Sequence, residues 1–149
     1  MKIVIQRVLE AKVEVEGVVC GQIGEGYLLL LGVSNDDTKE IADKMIEKVA
    51  KLRIFCDNED KINLSIGQID GEVLVVSQFT LYADCKKGNR PSFFAAANPA
   101  IAEELYEYVL KRCEGLFRRT QHGIFGADMK VSLVNDGPFT IILDSKEIL

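Results

Sequence analysis

Apolar and polar residues alternate from the start of the chain. Lys2 to Val8 is rich in Ile and Val, and Ala11 to Glu16 sets Val13 and Val15 against Lys12, Glu14 and Glu16. A period of two predicts a strand in each stretch, with Gly17 as the following turn. Val18 to Ile23 reads as a third strand, Gly24-Glu25-Gly26 as a second turn, and Tyr27 to Val33 as a buried fourth strand. The period then lengthens. Ile41, Met45 and Val49 recur four residues apart with Ala42 and Ile46 beside them, while Lys39, Asp43, Glu47 and Lys51 take the other face. This predicts a helix ending near Lys51, with Asp37 as N-cap and Glu40 at the capping-box spacing.

Further on, Leu52 to Phe55 predicts a short strand, Asp57 to Asp60 a polar turn, and Gly71 introduces a buried strand over Glu72 to Val76. A second helix begins with Asn98 as cap and Pro99 at its first position, and carries Ile101, Leu105, Tyr108 and Val109 on its apolar face. After Gly115 the two-residue period returns in Met129, Val131 and Leu133 against Lys130, Ser132 and Val134. A turn at Asn135 to Pro138 leads to a last strand, Phe139 to Leu143. The elements predict an α/β fold, a mostly antiparallel β-sheet or half-barrel packed by two main α-helices, forming a single domain over residues 1–149.

Composition narrows the function classes. With 149 residues and 48% hydrophobic content, one packed core is expected. The early apolar run Tyr27 to Leu31 is strand-sized, far short of the roughly 20 residues of a membrane span. The N-terminus enters a strand pattern directly, without a signal peptide, so a cytoplasmic location is expected. Cys20, Cys56, Cys85 and Cys113 have no C-x-x-C spacing and read as reduced thiols. His122 is the single histidine and no ligand cluster forms, so neither a metal nor another cofactor is expected. A net charge of −5 argues against DNA or any broad nucleic-acid surface. It leaves room for local phosphate contacts at Lys86, Lys87 and Arg90, or at Arg118, Arg119 and Lys130, although solvated surface charge is the ordinary reading.

Two segments differ from structural filler. Ser77-Gln78-Phe79-Thr80-Leu81 follows a buried strand directly, where hydroxyls and an amide are costly unless they are satisfied or used. Asn135-Asp136-Gly137-Pro138-Phe139-Thr140 fits a hairpin turn, but Pro138 cannot donate to a ladder and Gly137 permits close approach of backbone to a ligand. On residue chemistry alone a turn-forming role remains the ordinary reading of the first segment and fits the second less easily. Residue chemistry alone leaves the class open between a hydrolase of one particular ester, a generic small-ester hydrolase, and a non-catalytic dimeric binding module.

Ser77-Gln78-Phe79-Thr80-Leu81, with Lys87-Gly88 and Pro91-Ser92-Phe93 downstream, resembles the first signature of the D-aminoacyl-tRNA deacylases. Asn135 to Thr140 is similar to their second, and Gln6-Arg7-Val8 and Phe125-Gly126-Ala127-Asp128-Met129 fit in order. The resemblance implies hydrolysis of D-aminoacyl-tRNA, and of glycyl-tRNA mischarged on tRNA-Ala, as chiral proofreading in translation quality control. It implies a homodimer with cross-subunit sites. Gly137-Pro138 would be a cis pair entering the partner's pocket, holding the substrate amino group and rejecting L side chains, with Arg7 bracing the loop. N–H groups of Phe79 and Thr80 would be oxyanion donors, and the side chains of Ser77 and Gln78 would position the ester or terminal ribose. Phe125 and Met129 would pack on the 3′ terminal adenosine, Lys86 and Lys87 would meet phosphate, and the ribose 2′-hydroxyl would assist. A Ser-His-Asp mechanism would need His122, and no G-x-S-x-G is present. Thr80 and Cys85 lack an evident base, so a site that positions and polarises is expected.

Overall fold

A computed structural model describes residues 1–149. Its spine is β1 (Lys2–Val15), one 14-residue strand where the sequence predicts two. The first half of β1 pairs antiparallel with β3 (Gly26–Gly32), from Lys2↔Gly32 to Val8↔Gly26. The second half pairs with β2 (Val18–Ile23), from Ala11↔Ile23 to Val15↔Val18. Its other edge is taken along nearly its whole length by β8 (Lys130–Asp144), from Lys2↔Asp144 to Glu14↔Lys130. The two predicted strands are continuous because β8 spans the exposed step at Leu9-Glu10. Register shifts on both sides of Val8 absorb the change of phase.

The sheet continues from β3 through parallel pairing to β6 (Glu72–Ser77) and on to β7 (Thr120–His122). It is mixed, with antiparallel ladders in the majority. It curls until β2 meets β7: a Cβ on Gly21 would lie 2.8 Å from the His122 carbonyl oxygen. The result is nearly a barrel. A small two-stranded sheet, β4 (Arg53–Cys56) with β5 (Ile62–Ser65), lies apart from it.

Both faces of β3 and β6 are covered, which explains their unbroken apolar runs. Leu28, Leu74 and Val76 face the barrel interior with Val8, Ala11, Val13 and Ile23. Tyr27, Leu29, Val73 and Val75 face the helices with Ile3 and Ile5. Helix α1 (Lys39–Lys51) contributes Ala42, Met45, Ile46 and Val49 to that outer core. Helix α2 (Pro99–Leu116) contributes Leu105, Tyr106, Val109, Leu110 and Cys113. A short α3 (Ser145–Ile148) ends the chain. No helix is long and apolar enough to cross a membrane.

Three expectations need correction. Asp37 does not cap α1. Its carboxylate is buried and accepts from the Met1 ammonium and from the Ser34 N–H at 2.7 Å, so Thr38 caps instead, its hydroxyl accepting from Ile41 N–H at 3.3 Å. The apolar face of α2 is rotated: Ile101 is exposed, Tyr108 is half-buried, and Ala102, Tyr106 and Leu110 take the inward positions. Asn135 to Pro138 is no hairpin turn, because the chain before and after it forms one strand against the same partner, β1. The cap at Asn98, accepting from Ile101 N–H at 3.1 Å, and the strand over Glu72 to Val76 are as expected.

Candidate active site

Strand β6 leaves the sheet at Ser77, beside Leu31 of β3. The Gln78 N–H still donates to the Leu31 carbonyl at 2.7 Å. The chain then turns into one 3-10 turn, Phe79–Tyr82, whose first internal bond runs from Leu81 N–H to Gln78 O at 3.3 Å. The N–H groups of Phe79 and Thr80 precede that bond, so the turn supplies them no acceptor. The Gln78 side-chain amide donates to the Thr80 hydroxyl. Gly32 lies beneath: a Cβ there would stand 3.1 Å from Leu81 Cβ and 3.2 Å from Gln78 O.

Beside this turn is a cavity of about 570 Å³, and 13 of its 17 lining residues are hydrophobic. Ser77, Gln78 and Phe79 form one wall, with Phe125, Met129 and Tyr106 among the others. Phe79 packs edge-on against Phe93 at 5.0 Å, and Phe125 tilts against Tyr106 at 5.7 Å. No aspartate, glutamate, histidine, lysine or cysteine lines the cavity. Tyr106 is no base: burial pushes its phenol well above the usual range, and its hydroxyl donates to the Val75 carbonyl at 3.0 Å. His122 is outside the cavity, as are all four cysteines, which are free thiols. The lining suits a flat apolar ring, with amide and hydroxyl groups held at one wall.

The second segment is built elsewhere on the chain. Gln6 faces Thr140 but Val8 faces Asn135, so β8 throws out extra residues between these positions. Asn135 clasps the protrusion. Its carbonyl oxygen accepts from Phe139 N–H at 3.0 Å, and its amide donates to Phe139 O at 2.9 Å and Arg7 O at 3.0 Å. The Arg7 guanidinium donates to Asp136 O at 3.1 Å and to Ile54 O at 2.7 Å, and lies 4.7 Å from the Phe139 ring centre. At the tip, Gly137 and Pro138 are exposed and joined by a cis peptide.

Of the residues singled out from sequence, Ser77, Gln78, Phe79, Phe125 and Met129 therefore meet at one cavity. Thr80 is exposed and does not line it. Lys86 and Lys87 lie on an exposed loop closed by the Asp84–Ser92 bridge. Arg7, Gly137 and Pro138 form a separate, braced protrusion that the same chain's cavity does not include.

The model of the D-Tyr-tRNA(Tyr) deacylase family matches residues 4–144. The chain belongs to that family. It is thus an enzyme, a member of a deacylase family of hydrolases. Curated relatives named D-aminoacyl-tRNA deacylase include one from Thermosipho africanus, 54% identical over 99% of both chains. Another, from Haemophilus influenzae, is 55% identical over 94% of this chain and 96% of the relative. A solved structure named c-Myc DNA Unwinding Element Binding Protein superposes with a TM-score of 0.92 at 40% identity, covering 97% of this chain and 98% of that one. A second, described as a probable eukaryotic D-amino acid tRNA deacylase, has a TM-score of 0.78 over 95% and 97%, and at 18% identity it speaks for the fold.

In this deacylase, the sequence pattern gives Gly32 and Tyr106 no part in the site, and gives Asn135 none beyond its place in the second signature segment. A glycine closing a run of leucines was the available signal for Gly32, since such a position marks close backbone approach. Tyr106 was hidden in the helical pattern. Asn135 was absorbed into the supposed turn.

Proposed function

We propose that the protein hydrolyses the ester of D-aminoacyl-tRNA at a composite site, the cavity of one subunit completed by the Gly137–Pro138 protrusion of a second. The observation that carries this reading is the separation of the two signature segments. A cavity without acid or base stands at one place, and a stiffly braced, exposed loop that does not reach it stands at another. A second copy, in a homodimer, would join them.

In this reading the terminal adenosine lies among Phe125, Met129 and Tyr106, and the ester carbonyl faces the N–H groups of Phe79 and Thr80. Water adds to that carbonyl, the oxyanion is held by the two donors, and the 3′ oxygen leaves carrying a proton. Ser77 and Gln78 position the ester, and the ribose 2′-hydroxyl assists. Positioning and oxyanion stabilisation together supply many kcal/mol without a side-chain base, and an aminoacyl ester is already activated. Gly137–Pro138 holds the α-amino group and leaves no room for an L side chain, while glycine on tRNA-Ala passes. Lys86 and Lys87 meet phosphates, and the enzyme works in the cytoplasm.

The test is a pair of time courses, D-Tyr-tRNA against L-Tyr-tRNA, with enzyme far below substrate. The expected result is loss of the D-ester with the L-ester spared. Equal loss of both would indicate a generic esterase, and loss of neither a module that only binds.

A further inference from the structure

Phe94 is 95% exposed, the most solvent-facing large apolar side chain of the molecule. It is not isolated. Arg90, Pro91, Ser92, Phe93 and Phe94 line an open hollow of about 500 Å³, and Phe93 also lines the candidate active-site cavity. The two spaces thus share Phe93. The loop that carries the hollow holds Lys86, Lys87 and Arg90, all exposed and none ion-paired, on a chain whose net charge is −5. By contrast, Arg119 pairs with Glu72 at 3.3 Å and Arg118 donates to Asp70 O at 3.2 Å.

An aromatic face in water beside cations free of ion pairs is what a single-stranded nucleic acid recognises: the ring stacks a base and the cation meets its phosphate. Continuity fixes which base. If the terminal adenosine fills the cavity, as the proposed function holds, the strand leaves past Phe93 and its next nucleotide enters the hollow. We infer that Arg90 to Phe94 form a subsite for the penultimate nucleotide of the tRNA 3′ end, with the base stacked on Phe94 and the adjoining phosphate at Arg90. The inference rests on the proposed deacylase reading and adds a second nucleotide to it.

Two substrates separate the possibilities: D-Tyr-tRNA, and 3′-D-tyrosyl-adenosine, which has no penultimate nucleotide. Phe94→Leu keeps bulk but removes the aromatic face. It is expected to raise KM for the tRNA about tenfold with kcat little changed, and to leave hydrolysis of the adenosine ester within about twofold. Arg90→Gln gives the same split with a shallower salt dependence. Phe94→Trp keeps the stack, and because the chain has no tryptophan it adds a fluorescent reporter. Its emission should be quenched by the trinucleotide CCA and not by adenosine. An equal loss on both substrates would overturn the inference by assigning Phe94 to the cavity itself. No change on either would overturn it too, as would unchanged KM with a weakened oligomer in sedimentation, which would make Phe94 a contact between copies. If the unsubstituted protein hydrolyses neither substrate, the deacylase reading itself has failed, before any variant is compared.

Discussion

At the scale of single residues, the proposed mechanism relies on backbone as much as on side chains. Thr80 is exposed and outside the cavity, and its hydroxyl is occupied by Gln78. Thr80→Ala is therefore expected to keep activity within about tenfold. Phe79→Pro deletes a backbone donor at the first position of the turn, where proline's φ is tolerated. Its kcat is expected to drop roughly 10²-fold, with Phe79→Ala, which keeps the N–H, as the control for the lost ring. Single-turnover rates on D-Tyr-tRNA distinguish the two losses. Arg7 is 7% exposed and bridges Ile54 O and Asp136 O. Arg7→Ala should cost about 2 kcal/mol in urea unfolding, since both carbonyls lose their donor, and should blur discrimination between D- and L-esters. Lysine should rescue neither effect, because a single ammonium cannot reproduce the guanidinium fork. The Ser77 to Thr80 segment was legible because polar residues at the end of a buried strand ask for a reason. Asn135 was not, since an asparagine ahead of Asp-Gly reads as turn chemistry until its three side-chain bonds are in view.

At the scale of elements, alternation predicted where strands run but not where they join. Lys2 to Val8 and Ala11 to Glu16 look like two strands because the pattern breaks at Leu9-Glu10. They are one because β8 bridges the break. The same partner makes the Asn135 to Phe139 step a protrusion rather than a turn. Pairing across more than a hundred residues leaves no local trace. Asp37 was misread for the same reason, since its partner, the Met1 ammonium, is distant in sequence. Gly32 links element to site. An added methyl would press on Gln78 O and Leu81 Cβ at 3.2 and 3.1 Å, tight enough to shift the turn by a few tenths of an ångström. Gly32→Ala is expected to lower kcat about tenfold through misplaced donors while Tm falls by only about 3 °C. A variant as active as the parent would show that the turn tolerates the shift.

At the scale of the whole molecule, the half-barrel with two helices was readable, and its closure was not. Nothing local says that Gly21 would meet His122, or that β3 and β6 pair in parallel with a core on each side. The outer core, which holds Cys113, Tyr27 and Tyr106, bears on how the protein responds to alkali. Cys113 is fully buried, and burial pushes its thiol from an ordinary 9.0 up to about 12. Burial likewise raises Tyr82 to about 12, and Tyr27 and Tyr106 higher still. The unfolded chain releases these protons at ordinary values, so between about pH 9 and about pH 12 it binds fewer protons than the folded one. Their stabilising effect is complete below about pH 9 and is lost as pH climbs toward 12, and urea midpoints should decline over that window. Iodoacetamide on the native protein should label exposed Cys56 and Cys85 and spare Cys113.

The protrusion on β8 has a consequence for solubility. Within the chain β8 pairs with β1 alone, so its outer edge is a long row of unpaired backbone groups, the kind of edge onto which another chain adds strand by strand. The bulge from Asn135 to Phe139 cuts this row into two short stretches, and Pro138 in the gap has no N–H to offer. Gly137 and Pro138, proposed above for chiral selection, thus also interrupt the edge along which strand-by-strand growth would proceed.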